Sequence, residues 1–271
     1  MTCVDWSAVA PAWDRQRANI EAMKAELTEL LVADLDDLAG ARVLELGSGT
    51  GEFAARLAEE VGTTGSLVAT DVAEGMVALV RTRLAGVAQA EVAQVDATQI
   101  PYPDASFDAV VFRMGLMLVP EPEAALQEIR RVLRPGGRLC VAVWGAPQDN
   151  PWLTALGMAA MMHGLVQGGP PIGPGGPFSL ADPDDLEKRV RNAGFGDVTV
   201  TPVGSIRHFA SVDEHFELVS ALAPPLAAAL AAAPAETAAE VRRTFAGLVA
   251  KYVDEDGLHL PVRALSCLAR V

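Results

Sequence analysis

Apolar residues in this chain fall into two repeating patterns, short unbroken runs and helical spacing, which predict strands that alternate with helices. Five apolar runs have the length of strands: 42–46, 66–71, 91–95, 107–112 and 138–144. Three segments between them place apolar side chains on one helical face: 51–61, 74–85 and the stretch opened by Pro122. Strands that alternate with helices pair in parallel through right-handed crossovers. The pattern therefore predicts an α/β fold.

The two flanks add further elements to this fold. Ahead of the first strand, apolar spacing predicts one helix over 14–39, which Gly40 ends. After the fifth strand the predicted elements are a helix opened by Asp182-Pro183, a strand at 198–203, helices across 211–252 and a strand at 258–270. We expect the last strand to be antiparallel, at or near the sheet edge, with 198–203 as its partner. The sheet then has seven strands, mostly parallel.

This order of elements suggests a division of the chain. Residues 1–40 form an N-terminal helical cap, and residues 41–271 form the main domain with two lid segments, 146–180 and 208–256. The first lid holds the methionine-rich stretch 153–166 and a Gly/Pro run at 168–177. Methionine adapts to irregular apolar ligands, and long loops often close active sites. The alternative is a structureless surface loop.

Composition limits the function classes. The 271 residues are 51% hydrophobic, enough for a sizeable core, and 35 acidic against 21 basic residues give a net charge of −14. With no basic stripe, we expect no nucleic-acid partner. Cys3, Cys140 and Cys267 lie too far apart for a metal site or a disulfide framework. No signal peptide is evident and no apolar stretch reaches the ~20 residues of a membrane helix. We predict a cytoplasmic protein; the oligomeric state stays open.

A glycine-rich turn joins the first strand to its helix and is the centre of the predicted site. It reads Glu45-Leu-Gly-Ser-Gly-Thr-Gly51. Glycine permits unusual dihedral angles and lets backbone N–H groups approach a ligand, and the following helix adds a partial positive charge. The G-x-G-x-G spacing differs from the G-x-G-x-x-G of dinucleotide-binding enzymes. The turn therefore predicts a nucleotide-type ligand of another class.

Two acids follow neighbouring predicted strands. Asp71 lies 20 residues after Gly51 and ends the second apolar run, where a carboxylate can accept hydrogen bonds from both ribose hydroxyls. Asp96 ends the third strand and can accept a hydrogen bond from an exocyclic amine such as that of adenine. The alternative for Asp96 is a simple loop cap.

Together with Asp71-Val-Ala-Glu-Gly-Met76 and Val95-Asp96-Ala97, this turn makes the chain resemble the class I S-adenosylmethionine (SAM) methyltransferases. It is most similar to the branch with ubiquinone/menaquinone-type and small-molecule enzymes, over 13–145 and more loosely over 178–203. The resemblance implies a Rossmann-like, doubly wound sheet and SAM as cofactor. It implies cofactor contacts by Trp13, Glu45, Gly47, Ser48, Gly49, Gly51, Asp71, Val72, Met76, Asp96, Ala97 and Arg113.

The same resemblance implies methyl transfer to an O, C or N atom of a quinone or secondary-metabolite type of molecule. Both lids are apolar and poor in Lys and Arg, which also favours an apolar or aromatic small-molecule acceptor. His163 is the first candidate for a general base, because it shares the first lid with the methionines. The alternative is that His163, like most lone histidines, is an ordinary surface residue.

Other roles remain open. Arg113 either holds the cofactor carboxylate or pairs with a local acid. Trp6 and Trp13 either pack on the core edge or form a lid, since an aromatic face attracts a sulfonium cation. Three alternative functions also stand: a nicotinamide-dependent oxidoreductase, a SAM-binding enzyme that catalyses a non-methylating reaction such as cyclisation or rearrangement, and a non-enzymatic binding protein with this fold.

Overall fold

A computed structural model describes residues 5–167 and 172–271 of the chain. Residues 1–4 of the predicted cap and 168–171 of the Gly/Pro run lie outside the described residues. The first half contains α1 (Trp6–Arg15), α2 (Arg17–Met23), α3 (Ala25–Leu35), β1 (Arg42–Glu45), α4 (Glu52–Val61), β2 (Ser66–Asp71), α5 (Glu74–Arg83), β3 (Ala90–Gln94), β4 (Phe107–Arg113), α6 (Pro122–Val132) and β5 (Leu133–Trp144). The second half contains α7 (Pro151–Met162), α8 (Pro183–Asn192), β6 (Gly196–Phe209), α9 (Val212–Leu222), α10 (Pro224–Ala232), α11 (Ala235–Val249), β7 (Val253–Asp254) and β8 (Gly257–Arg270).

The strands form one sheet in the order β3-β2-β1-β4-β5-β8-β6, and the short β7 pairs with β8. Strands β1 to β5 are parallel, whereas β8 is antiparallel to both of its neighbours, β5 and β6. The predicted Rossmann-like, mostly parallel sheet is confirmed, and so is the pairing of 258–270 with 198–203. β8 lies one place inside the sheet, and β6 forms the edge.

The strand order reverses beside β1. The chain runs from β1 outward to β2 and β3, then crosses to place β4 on the other side of β1. In open α/β sheets, ligands bind outside the carboxyl ends of the strands at such a reversal, because the two flanking connections diverge and leave a crevice. The glycine turn follows β1 directly, so the fold places it at this crevice.

Helix α4 shows why the sequence pattern specifies this packing. Its apolar residues recur at helical spacing, and the buried side chains share the face toward the sheet: Phe53, Ala54, Leu57, Ala58 and Val61. Strand β1 contributes Val43 and Leu44, both fully buried, because helices cover both faces of a parallel sheet. The helix is therefore fixed immediately after the turn that precedes it.

The predicted single helix over 14–39 is wrong in its boundaries. The segment contains the end of α1, then α2 and α3, which Lys24 separates at φ −109° and ψ 7°, and the last helix ends at Leu35. Helix α1 begins earlier, at Trp6, where the Asp5 carboxylate accepts hydrogen bonds from two backbone N–H groups at 3.1 Å. The apolar face continues through the break, so its spacing does not reveal the break.

The two segments predicted to be lids both contain helices, and the second is largely helical. Segment 146–180 contains α7, and segment 208–256 contains α9, α10 and α11. Strand β6 extends to Phe209 and so enters the second segment, beyond the predicted end at 203. Within the described residues, no single helix has both the length and the apolar composition to cross a membrane; only the bent pair Val212–Leu222 and Pro225–Ala232 meets both criteria jointly.

Candidate functional site

The glycine turn adopts a conformation that its glycines allow. Gly47, Gly49 and Gly51 have φ angles of 64°, 58° and 87°, a region that L-residues rarely adopt. A Cβ atom at Gly47 would lie 3.0 Å from the Phe112 ring, a tight contact that adds to the preference for glycine set by its positive φ. A Cβ atom at Gly49 would meet no atom within 4 Å. The turn therefore exposes bare backbone to open space at Gly49.

Asp71 fixes this turn from the end of the neighbouring strand. Its Oδ2 accepts the Gly49 N–H at 3.0 Å, and its Oδ1 accepts the Ala73 N–H at 3.0 Å. Burial raises the pKa of Asp71, whereas its bonds to backbone N–H groups act to lower it. A carboxylate offers about four lone-pair sites, so acceptor capacity remains for a ligand hydroxyl.

Glu45 and Ser48 form a buried pair beneath the turn. The Ser48 hydroxyl donates to Glu45 Oε2 at 2.6 Å, and the Thr70 hydroxyl donates to the Glu45 carbonyl at 2.8 Å. Burial raises the pKa of Glu45 to about 7, although the Ser48 hydrogen bond and the charge of Arg113 oppose the rise. This carboxyl group can therefore exchange a proton near neutral pH.

Arg113 pairs with an acid of the cap, one of the two roles left open for it. Its guanidinium donates to both carboxylate oxygens of Glu21, at 2.6 and 2.9 Å, and to the Thr28 hydroxyl at 2.8 Å. Burial tends to raise the pKa of Glu21, but the charges of Lys24 and Arg113 hold it at about 2. Burial also lowers the pKa of Lys24 to about 8. The sequence analysis missed Glu21 and Lys24, since neither is near Arg113 in sequence.

Helix α1 closes over the start of α5. The Gly75 N–H donates to the Ser7 hydroxyl at 3.1 Å, and a Cβ atom at Gly75 would lie 2.7 Å from the Ser7 carbonyl oxygen. Trp6 and Trp13 meet edge to face, with ring centroids 5.4 Å apart, and pack against the buried Met76. The Trp13 Nε1 atom is buried and has no hydrogen-bond partner among the described residues. The tryptophans thus pack on a small apolar cluster, one of the two roles left open for them, and their role as a lid stays a prediction.

Arg83 connects the cap to the glycine turn and was not singled out from the sequence. Its Nε donates to the Thr50 carbonyl at 2.7 Å, and its Nη atoms lie 2.9 Å from a Glu52 oxygen and 3.3 Å from an Asp14 oxygen. One side chain at the end of α5 therefore contacts the turn, the first residue of α4 and the end of α1.

Asp96 and Ala97 lie after β3, beside Asp71. Strand pairing puts Asp71 opposite Gln94, so both acids are at the carboxyl edge of the sheet. The Asp96 Oδ1 accepts the N–H and the hydroxyl of Thr98, both at 2.8 Å, which is the loop cap considered as its alternative. Asp96 is exposed and Ala97 is buried. Val72, which directly follows Asp71, is 54% exposed.

His163 is placed away from these residues by helix α7. It directly follows this 12-residue helix, which spans about 18 Å from its start beside β5. Its Nε2 lies 2.8 Å from the Thr244 hydroxyl, and its Nδ1 lies 3.5 Å from a Glu240 carboxylate oxygen. None of these partners belongs to the turn or the strand ends. Its role as a base stays a prediction.

The turn, the two acids and the strand reversal lie at the same carboxyl edge of a Rossmann-like sheet. Residues 44–141 match the family model described as a methyltransferase domain. The chain is 38% identical over 140 residues to the demethylmenaquinone methyltransferase of Clavibacter sepedonicus, an alignment that covers 51% of this chain and 56% of that enzyme. It is 43% identical over 115 residues to the ubiquinone/menaquinone biosynthesis C-methyltransferase UbiE of Pseudomonas putida. That alignment covers 41% of this chain and 45% of that enzyme.

Solved structures agree on the fold. A putative methyltransferase from Bacillus halodurans superposes with a TM-score of 0.60 at 21% identity, over 90% of this chain and 97% of that one. Residues 44–141 of this chain are therefore similar to the domains of SAM-dependent methyltransferases. The chain spans about half the length of the curated relatives it matches.

Proposed function

We propose that the whole chain is a SAM-dependent methyltransferase that acts on an apolar or aromatic small molecule, at an O, C or N atom. Two linked observations carry this proposal. The Cβ position of Gly49 faces open space, and the Asp71 carboxylate accepts the Gly49 N–H at 3.0 Å. In the same proposal, residues 1–40 are a cap, and segments 146–180 and 208–256 are lids. We place the protein in the cytoplasm.

The residues of the site fit a charged adenosine derivative. Asp71 has acceptor capacity left for ribose hydroxyls, and the exposed Asp96 lies at the adjacent strand end, within the same crevice. The partly buried Trp13 and the buried Met76 supply an apolar, polarisable surface at the start of α5. Arg113 already forms an ion pair with Glu21. Its predicted contact with the cofactor carboxylate therefore requires the guanidinium to bind both carboxylates.

The cofactor supplies an electrophilic methyl group on a sulfonium. This chain contributes position and electrostatics: the turn fixes the ligand through backbone contacts, Asp71 orients it, and the cap excludes water. An acidic phenol or an activated carbon needs little further help from a base.

Calorimetric titration tests the proposal. We expect SAM and S-adenosylhomocysteine to bind and NADH not to bind, and S-adenosylhomocysteine to form during turnover with an acceptor. Turnover without that product would favour the non-methylating alternative, and NADH binding would favour an oxidoreductase.

Asp71→Ala should weaken SAM binding by roughly 1.5–3 kcal/mol, because a charge-assisted hydrogen bond is lost. Asp104→Ala is the matched control, since this exposed carboxylate precedes β4 at the opposite edge of the sheet. Equal SAM affinity in the Asp71→Ala variant and the wild type would remove Asp71 from the site.

A further inference from the structure

Strands β6 and β8 continue together beyond the rest of the sheet. Trp144, the last residue of β5, lies opposite Ala264, which in turn lies opposite Val203. Residues 204–209 and 258–263 pair past that point, and we call them the β6–β8 ribbon. At about 3.3 Å per residue the ribbon rises roughly 20 Å above the carboxyl edge. It therefore forms a wall beside the crevice.

One face of the ribbon is apolar except for a single charged residue. In β6, Ser205, Arg207 and Phe209 are more buried than the exposed residues that alternate with them. Their partners in register are Val262, Leu260 and Leu258, all buried. Paired residues of adjacent strands share a face. Arg207 is consequently the one charged side chain on this inner face.

Arg207 has only a neutral hydrogen-bond partner within the described residues. One Nη atom donates to Asn19 Oδ1 at 2.8 Å, and the guanidinium carbon lies 5.3 Å from the centre of the Phe209 ring. Its Nε atom is buried and has no partner among the described residues. The Arg207 side chain is partly buried, and a cation held there without a counter-charge costs free energy that a bound anion would recover. The guanidinium edge is also preorganised for a carboxylate.

The surroundings of Arg207 belong to the same rim as the cofactor residues. Asn19 lies on α2, two residues before Glu21, whose carboxylate binds Arg113 at the end of β4. On the other side, Phe209 lies 4.8 Å from the His215 ring of α9. His215 donates to the Trp152 carbonyl at 2.7 Å, and Trp152 meets Trp144 edge to face at 5.1 Å. Aromatic side chains thus continue from Arg207 to the end of β5.

We infer that Arg207 binds a carboxylate on the methyl acceptor, and that the acceptor is an aromatic acid rather than a neutral molecule. The inference rests on the proposed function and narrows its substrate class. The partly exposed guanidinium receives the carboxylate oxygens, and the buried aromatic side chains behind it keep its surroundings apolar. Arg207 is in this respect a specificity-determining residue.

A matched pair of probes tests this inference. 2-Naphthoate and its methyl ester have the same ring system and differ in charge. Binding of each is measured by quenching of tryptophan fluorescence at pH 7.5, with S-adenosylhomocysteine present. We expect the wild type to bind the acid at least about tenfold more tightly than the ester. Arg207→Gln should reduce this ratio to about one, and Arg207→Lys should keep only part of it.

Arg243→Gln is the control, because this arginine is 69% exposed on α11. It should leave the ratio unchanged. A ratio near one in the wild type, no binding of either probe, or a ratio kept in Arg207→Gln would overturn the inference. If Arg207→Gln fails to fold, the inference would be overturned by an acid-to-ester affinity ratio in Arg207→Lys that is as high as in the wild type. Binding of S-adenosylhomocysteine alone is measured in parallel. If the wild type does not bind S-adenosylhomocysteine, the proposed function is contradicted. If it does bind but the acid-to-ester affinity ratio is near one, only the role of Arg207 is contradicted.

Discussion

The buried histidine of α9, His215, should make the fold sensitive to acid. Its side chain is fully buried, and its ring lies 4.8 Å from that of Phe209 and 5.0 Å from that of Phe245. The Nε2 atom lies 2.7 Å from the Trp152 carbonyl oxygen and must carry the proton to bond it, while Nδ1 has no partner among the described residues. Burial lowers the pKa of His215 to about 4, although the hydrogen bond to Trp152 acts to raise it.

The sign and size of the effect follow from this pKa. The unfolded chain, with a histidine pKa of 6.5, binds the proton more readily than the folded chain between pH 6.5 and about 4. The folded state is therefore destabilised as the pH falls through that window, by about 2 kcal/mol between pH 7.5 and 5.0. Glu45 acts in the opposite direction by about the same amount, because burial raises its pKa to about 7 and protonation then favours the folded state.

Because these two effects oppose each other, the measurement compares variants. We would determine the free energy of unfolding in urea for the wild type and His215→Gln at pH 7.5 and 5.0. Glutamine can still donate to the Trp152 carbonyl but cannot ionise. The stability of the wild type relative to His215→Gln should fall by about 2 kcal/mol at the lower pH.

His163→Gln is the control for this comparison, since solvent reaches its partly exposed ring. A stability difference between the wild type and His215→Gln that is equal at both pH values would refute the reasoning. So would an NMR titration of the His215 ring with a midpoint near 6.5.

Two further predictions concern the turn and the cap. Gly49→Ala and Gly86→Ala both add a methyl group at positive φ into open space, so each should lose about 1 kcal/mol of stability. Only Gly49→Ala should weaken SAM binding in calorimetry. Glu21→Gln leaves Arg113 and Lys24 without their counter-charge and should lower the free energy of unfolding at pH 7 by about 3 kcal/mol, with the exposed Glu26→Gln as control. Because the pKa of Glu21 is held at about 2, its stabilising effect should shrink as the pH falls below 4.5.

The parts of the fold that local sequence determines were predicted correctly. The strand, glycine turn and helix around Gly49 are specified by apolar spacing and by glycine at positive φ, both of which are local properties. The break at Lys24 was missed because Ile20 and Leu27 remain on one face on either side of it. The end of β6 was predicted too early because, where its outer part pairs with β8, most of the apolar residues belong to β8.

The candidate site divides in the same way. The sequence identifies Gly49 and Asp71 through their fixed spacing, whereas the hydrogen bond between them is seen only in the structure. Glu21 and Arg207 were missed since each is defined by a partner distant in sequence: 92 residues separate Glu21 from Arg113, and 188 separate Arg207 from Asn19. Only the tertiary fold brings such groups together.

The position of the second helical insertion has a consequence for how this protein can diversify. Helices α9 to α11 leave the sheet after β6 and return before β8, so they occupy the connection of a strand pair that is already in register. Connections of this kind tolerate changes in length at a small cost in loop-closure entropy, because the flanking strands are held together by their own backbone hydrogen bonds. The helices of this insertion could therefore be exchanged without altering β1, β2 and the turn between β1 and α4, which form the proposed adenosine site.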